Sequence, residues 1–400
     1  MRTSCSARRL KAARVKKLAA VAVLGAAALA ARHYFAIRDA MAAVAVDLRS
    51  PIVPFTSVSF NKRTLPVIRL LFSLRTRSGP GVSVTERYVG DPAVRVLVTA
   101  PVKRDAAAPA LLWIHGGGMI VGTPQFQAMG SGRAARELGA VVVSPDYRLA
   151  PEHRFPAGLD DCMVTLRWMR SHAEELGIDP DRIAVVGASA GGGLSAAVAQ
   201  RSYDERIPLR AQALVYPMLD DRTVLIEDNA GRGRFGWTPA SNRFGWTAYL
   251  GREPRMPDAP EYAAPARRTD LTGLPPAWIG VGELDLFYDE NVDYAEKLKA
   301  CGVACELVTV PGMYHGADGV TPKAPVLQDF HRGLLDHLRT YLLSSERPPC
   351  PRFGRLSVIG PTRTCYRPAR SADWWPFLNF ARDSKVGRVA SVTAPPLAVG

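Results

Sequence analysis

A serine between glycines, Gly187-Ala188-Ser189-Ala190-Gly191, stands directly after the apolar run Ile183-Ala184-Val185-Val186, and a small-residue stretch from Gly192 to Ala199 follows. A strand that passes through a sharp turn into a helix pushes a serine hydroxyl out of the fold. Glycines two positions to either side permit the close approach of strand and helix. A serine hydroxyl is a weak nucleophile. It needs a base to take its proton, an acid to orient that base, and donors for the oxyanion that forms on attack. The plain alternative is an ordinary small-residue strand-to-helix turn, so the rest of the chain has to supply the partners.

Histidine occurs at positions 33, 115, 153, 172, 315, 331 and 337. His315 follows the β-branched run Glu306–Val310 and the turn Pro311-Gly312-Met313-Tyr314, and precedes Gly316. A loop histidine at the carboxyl end of a late strand is where a general base is expected. His331 and His337 fall in the final helical pattern and His172 in an earlier one, which reads as surface or packing. For the acid, Val281-Gly282-Glu283-Leu284-Asp285 closes the preceding apolar strand. Asp285 is the choice, with Glu283 and Asp289 as competitors. Asp289 and Glu290 read better as first-turn residues of the next helix, where its dipole favours acids. Behind Trp113-Ile114 stands His115-Gly116-Gly117-Gly118, whose glycines let backbone N–H groups face a cavity.

The elements that must position these groups alternate in period. Val82–Val89 and Val94–Val98 partly alternate around Gly90-Asp91-Pro92, a hairpin signal. Continuous apolar runs at 110–114, 140–143, 183–186, 211–216 and 277–281 fit a sheet covered on both faces. Helical patterns over 160–176, 191–201, 292–300 and 326–343 alternate with those runs and with the 306–310 strand. Such βα alternation predicts an α/β fold with a mostly parallel sheet flanked by helices. Residues 219–260, with Phe235-Gly236-Trp237 and Phe244-Gly245-Trp246, break the alternation after the 211–216 strand. They would lie beyond the carboxyl edge of the sheet, where ligands bind in such folds. With the N-terminal segment 32–80 they are expected to form a helical cap over a main domain spanning 81–346.

Three motifs in this order carry a resemblance. They are Trp113-Ile114-His115-Gly116-Gly117-Gly118, then Asp146-Tyr147-Arg148-Leu149-Ala150-Pro151-Glu152-His153 with Phe155-Pro156-Ala157, then Gly187 to Gly192. Over roughly 82–345 the chain resembles the hormone-sensitive-lipase family of esterases, which includes arylacetamide deacetylases and has the α/β-hydrolase fold. The serine, acid, histidine order also matches that fold. The resemblance implies Ser189 as nucleophile, Asp285 as orienting acid and His315 as base. It implies an oxyanion hole from the N–H groups of Gly117, Gly118 and Ala190, and no cofactor or metal. His115 would then shape its loop, and Asp146 and Glu152 would brace the site. Ala188 stands where many relatives carry an acid, and Ala317 where an aromatic is common, a change that would enlarge a pocket wall. The expected activity is hydrolysis of short- to medium-chain carboxylic esters, on a small-molecule or lipid substrate, through an acyl-enzyme. A membrane-associated amidase or deacetylase and a non-catalytic binding protein are the alternatives.

The formal charge of +14 suggests acidic partners until its distribution is followed. Residues 1–17 hold +7 and residues 351–400 hold +6, which leaves +1 for the remaining 333. Nucleic acid is therefore not an expected partner. The basic N-terminus precedes fourteen apolar or glycine residues, Leu18 to Ala31, with a small-x-small site at Ala28-Leu29-Ala30. Residues 1–31 read as a signal peptide or an uncleaved signal-anchor, which places the protein in the envelope or outside the cell and allows membrane association. Fourteen residues are short for a spanning helix, which needs about twenty. Residues 347–400 form a basic, proline-rich extension. Six cysteines do not make a disulfide framework, and Cys301 and Cys305 read as small buried residues.

Overall fold

The computed structural model describes residues 25–344, apart from 26, 29, 30, 33, 36, 58 and 73–77. The basic start of the targeting segment, the C-terminal extension, and Cys5, Cys350 and Cys365 lie outside the described residues. Among the described residues no helix is long and apolar enough to cross a membrane.

Eight strands form one sheet: β1 Val82–Val89, β2 Val94–Pro101, β3 Ala108–Ile114, β4 Val141–Pro145, β5 Ile178–Ala188, β6 Gln212–Val215, β7 Ala277–Gly282 and β8 Cys305–Val310. Their order is β1-β2-β4-β3-β5-β6-β7-β8. The pairs β1·β2 and β2·β4 are antiparallel, and all later neighbours are parallel. All eight expected strands are present.

The continuous apolar runs are explained by where successive side chains go. Leu112, Val141, Val143 and Val185 enter one core cluster, while their neighbours Leu111, Val142, Ala184 and Val186 enter another. Alternate residues point to opposite faces, so two covered faces demand an apolar residue at every position. Leu111, Leu112 and Ile114 are inaccessible to solvent. Burying each such side chain stabilises the fold by about 1.5–3 kcal/mol before entropy is counted.

The helices that flank the sheet and the site include α1 Leu65–Phe72, α2 Ala128–Leu138, α3 Ala157–Ser171, α4 Ala173–Leu176, α5 Ala190–Asp204, α6 Pro239–Leu250, α7 Tyr288–Ala300, α8 Ala317–Val320 and α9 Pro325–Leu343. Leu159, Met163 and Leu166 of α3 and Leu194 and Val198 of α5 join the first cluster. Ala134 and Leu138 of α2 and Leu327, Phe330 and Leu334 of α9 join the second. Tyr294 and Leu298 of α7 pack with Leu214 and Ile279.

Because β3, β5, β6, β7 and β8 are parallel neighbours, their carboxyl-end loops emerge side by side along one edge. The insertion after β6 carries α6, which starts at Thr238, whose hydroxyl accepts from the Ser241 N–H at 3.2 Å. The segment before β1 meets this insertion: Phe60 N–H donates to Ser241 Oγ at 3.0 Å, and Gly236 N–H to Thr56 Oγ1 at 3.2 Å. Earlier residues of that segment do something else. Val44, Leu48 and Val53 belong to the main core with Met313 and Tyr314, and Ala45 N–H donates to Gly312 O at 3.1 Å.

Candidate active site

Ser189 sits between β5 and α5 with φ 57 and ψ −123, a conformation rare for a residue with a side chain. A methyl group on Gly187 would stand 2.2 Å from Gly191 O, so the turn closes this tightly only on glycine. Backbone hydrogen bonds hold the serine: its N–H donates to Val215 O at 2.8 Å, and its carbonyl accepts from Met218 N–H and Gly193 N–H, each at 3.0 Å.

His315 Nε2 lies 2.9 Å from Ser189 Oγ, and His315 Nδ1 lies 2.7 Å from Asp285 Oδ2. Asp285 is fully buried, and its Oδ1 accepts from Phe287 N–H at 2.9 Å. A carboxylate only accepts, so Nδ1 carries the imidazole proton and Nε2 is left to accept from the serine. All three groups are at most 7% exposed, which excludes most water from between them. The competing acids stand elsewhere. Glu283 is exposed, and Asp289 pairs with Arg232 at 2.7 Å on the surface.

The glycine loop lies against this serine. A methyl on Gly116 would meet Ala188 O at 2.7 Å and Ser189 Cβ at 3.3 Å. Ala190 is the first residue of α5, so its N–H is one of those that no helical carbonyl can satisfy. His115 is buried with Nδ1 2.9 Å from Gly116 O, and burial pushes it down to about 4. It is neutral, and its ring stacks on Tyr147 at 4.2 Å, whose hydroxyl donates to His115 O at 3.0 Å. The residue thus shapes its loop.

The 146–157 stretch braces the site through ion pairs. Arg95 binds Asp146, Arg148 binds the buried Asp161 at 2.8 Å, and Arg69 of α1 binds both oxygens of Glu152 at 2.8 Å. The Arg69 hydrogen bond holds Glu152 down at about 2. Arg69 also donates to Ile120 O at 2.9 Å and Ala150 O at 2.8 Å, tying α1 to the end of the glycine loop.

Further contacts around the site carry little sequence signal. Tyr216 meets the His315 ring at 4.6 Å and Phe287 meets it at 5.3 Å. The first Phe-Gly-Trp triplet touches both halves of the site. A methyl on Gly236 would stand 1.9 Å from His315 O, and one on Gly118 would stand 2.0 Å from the Trp237 ring. Trp237 packs in turn on Phe60 at 5.1 Å. A glycine repeated within an aromatic triplet is the one hint that these backbones come close.

Other sequence candidates lie apart. His331 and His337 are on α9, and His172 is exposed at the end of α3. Cys301 is buried, with its sulfur 3.4 Å from the Leu271 N–H, and Cys305 is half-buried. Ala317 is fully buried in the cluster that holds Met313 and Tyr314. Among the described residues no three His, Cys, Asp or Glu side chains could share a metal ion.

The sequence profile of the alpha/beta hydrolase fold matches residues 111–318. The carboxylesterase NlhH of Mycobacterium tuberculosis is 41% identical over 251 residues, covering 59% of this chain and 76% of that one. An arylacetamide deacetylase of Oryctolagus cuniculus is 42% identical over 149 residues, but these cover only 37% of its length. Among solved structures, a bacterial heroin esterase aligns with a TM-score of 0.70 at 36% identity, covering 76% of this chain and 100% of that chain.

Proposed function

The chain belongs to the alpha/beta hydrolase fold family, in its hormone-sensitive-lipase-like branch, and is a carboxylic ester hydrolase; we propose that it works as a serine esterase through an acyl-enzyme. The observation that carries this reading is a single buried imidazole within hydrogen-bond reach of both Ser189 Oγ, at 2.9 Å, and Asp285 Oδ2, at 2.7 Å.

Ser189 Oγ attacks the ester carbonyl carbon while His315 Nε2 takes the hydroxyl proton. Asp285 holds the Nδ1 proton in place and stabilises the imidazolium that results. The carbonyl oxygen gains negative charge, and the N–H groups of Gly117, Gly118 and Ala190 receive it. One such donor contributes about 3 kcal/mol to the transition state. Collapse expels the alcohol, which leaves with the proton from His315. Water then repeats the sequence on the acyl-enzyme and releases the acid. We infer a preference for short- to medium-chain acyl groups, supported by the Trp237 ring that packs closely against Gly118.

An amide-cleaving reading draws only on the partial similarity to the deacetylase; comparing anilide with ester turnover separates the two. On the strength of the basic start and the apolar run Leu18–Ala31, we also propose export or membrane anchoring. Cell fractionation with and without residues 1–31 tests it.

Ser189→Ala is expected to abolish ester turnover with an unchanged circular dichroism spectrum. A fluorophosphonate should add one mass equivalent to Ser189 of the unsubstituted chain and none to the variant. Full activity of Ser189→Ala would end this reading.

A further inference from the structure

The turn at the end of β6 touches both the nucleophile and the base. Val215 O and Met218 N–H hold the backbone of Ser189 from either side, at 2.8 Å and 3.0 Å. Between them stands Tyr216, buried, with φ 34 and its own N–H on Gly280 O at 2.6 Å. A tyrosine held at positive φ persists only where its surroundings over-determine it. Here they do so around the imidazole. The Tyr216 ring lies 4.6 Å from the His315 ring at an interplanar angle of 62°.

The far end of the tyrosine returns to the base's own loop. Its hydroxyl donates to Asp318 Oδ1 at 2.6 Å, and Asp318 lies in α8, the short helix that starts two residues past His315. Burial raises the phenol, and the Asp318 carboxylate raises it further, so the hydroxyl stays protonated and donates. The other carboxylate oxygen of Asp318 is 3.8 Å from His331 Nε2, beyond hydrogen-bond range.

We propose that Tyr216 and Asp318 are positioning residues for His315. Their hydrogen bond closes a ring of contacts that runs from Ser189 through Val215, Tyr216, Asp318 and the start of α8 to His315, and from His315 Nε2 back to Ser189 Oγ. The Asp285 hydrogen bond fixes one nitrogen of the imidazole but leaves the ring free to swing about that contact. The tyrosine ring, anchored at its backbone and at its hydroxyl, removes that freedom and sets the approach of Nε2 to the serine. Neither residue touches the reacting atoms. The inference rests on the reading of His315 as the base of Ser189.

The test is steady-state hydrolysis of a p-nitrophenyl ester by the full chain and four variants, each checked by thermal melting. Tyr216→Phe keeps the ring and deletes the hydroxyl, and Asp318→Ala deletes the acceptor. Each is expected to lower kcat about tenfold with KM within about twofold, as a small misplacement of a catalytic group does. Because both delete the same bond, the double variant is expected to be no worse than either single one. Asp318→Asn keeps an acceptor oxygen and is expected to retain at least about half of the activity. A wild-type kcat in Tyr216→Phe, losses that multiply in the double variant, or an Asp318→Asn as impaired as Asp318→Ala would each overturn the proposal. If Asp318→Ala does not fold, Tyr216→Phe and Asp318→Asn decide it alone. An inactive Ser189→Ala beside an unimpaired Tyr216→Phe defeats the positioning role only, whereas an active Ser189→Ala defeats the reading beneath it.

Discussion

Asp285 gives its two oxygens to two donors, Oδ2 to His315 Nδ1 at 2.7 Å and Oδ1 to Phe287 N–H at 2.9 Å. Asp285→Asn keeps the shape but leaves one acceptor oxygen. The Phe287 amide cannot relocate its proton, so the asparagine oxygen goes to it and the new NH2 group faces Nδ1. A ring nitrogen that faces a donor must accept, and the imidazole proton moves to Nε2. That is the atom 2.9 Å from Ser189 Oγ, which then has no lone pair for the serine proton. A histidine in the wrong tautomer lowers kcat by about ten-thousandfold. At 1.36 kcal/mol per decade this amounts to about 5.5 kcal/mol of transition-state stabilisation. Initial rates with p-nitrophenyl acetate on the purified chain measure it, with a melting curve to confirm the fold. Asp289→Asn is the control. Asp289 is 65% exposed and pairs with Arg232, so its loss should change the rate less than about twofold. An Asp285→Asn rate within about tenfold of wild type, or an Asp289→Asn rate that falls as far, would refute the argument.

Two further outcomes are expected. Burial holds His115 and His337 down at about 4, so both are neutral in the fold and protonate on unfolding. Their contribution is fully present above the unfolded value of about 6.5 and is lost as pH falls from there toward 4; linkage gives about 2 kcal/mol per histidine between pH 7 and pH 5. His337→Leu should bring the urea midpoints at those two pH values closer together, and an unchanged separation would contradict the account. Gly236→Ala places a methyl 1.9 Å from His315 O on a backbone at φ 74, and relieving the clash shifts His315. Its kcat should fall about a hundredfold with a lower melting temperature, and wild-type values for both would show that the insertion does not bear on His315.

The inner strands were legible because the sheet is covered on both faces there, so burial writes itself as uninterrupted apolar runs, whereas the more exposed β1 and β8 showed themselves by β-branched and alternating patterns. β5 begins at Ile178 and not at Ile183, since Asp179, Asp181 and Arg182 break the apolar pattern while the backbone stays extended. α2 was not read. Its sequence holds Gly130 and Gly132, poor helix formers, but a methyl on Gly132 would meet Ser78 O at 2.1 Å, so packing against the chain before β1 dictates the residue. That Ser189, Asp285 and His315 come together was legible because each follows a strand and the proposed chemistry restricts the residue type. Tyr216, Gly236 and Trp237 were not. The partners of Gly236 and Trp237 are set by how the insertion and the N-terminal segment fold back over the sheet edge, and those of Tyr216 by the loop after β8; no local pattern encodes a contact across such a distance. Residues 32–80 read as one cap segment, yet Val44, Leu48 and Val53 lie in the main core while Phe60 and Arg69 meet the site's surroundings.

The hydrogen bond from Phe60 to Ser241 spans 181 residues, and that from Ala45 to Gly312 spans more. On a ribosome adding about 5–20 residues per second, Phe60 is made roughly 10–40 s before its partner. Through that interval Met313 and Tyr314, which share a cluster with Val44, Leu48 and Val53, do not yet exist, and Trp237 is not yet made to meet Phe60. The segment 44–60, made early, is therefore among the last to find its place. Loop-closure entropy must be met before such distant contacts return any free energy, so docking of this segment belongs to the slow end of folding. Its apolar residues wait longest for partners among those just named, which is the condition under which a chaperone helps a nascent chain.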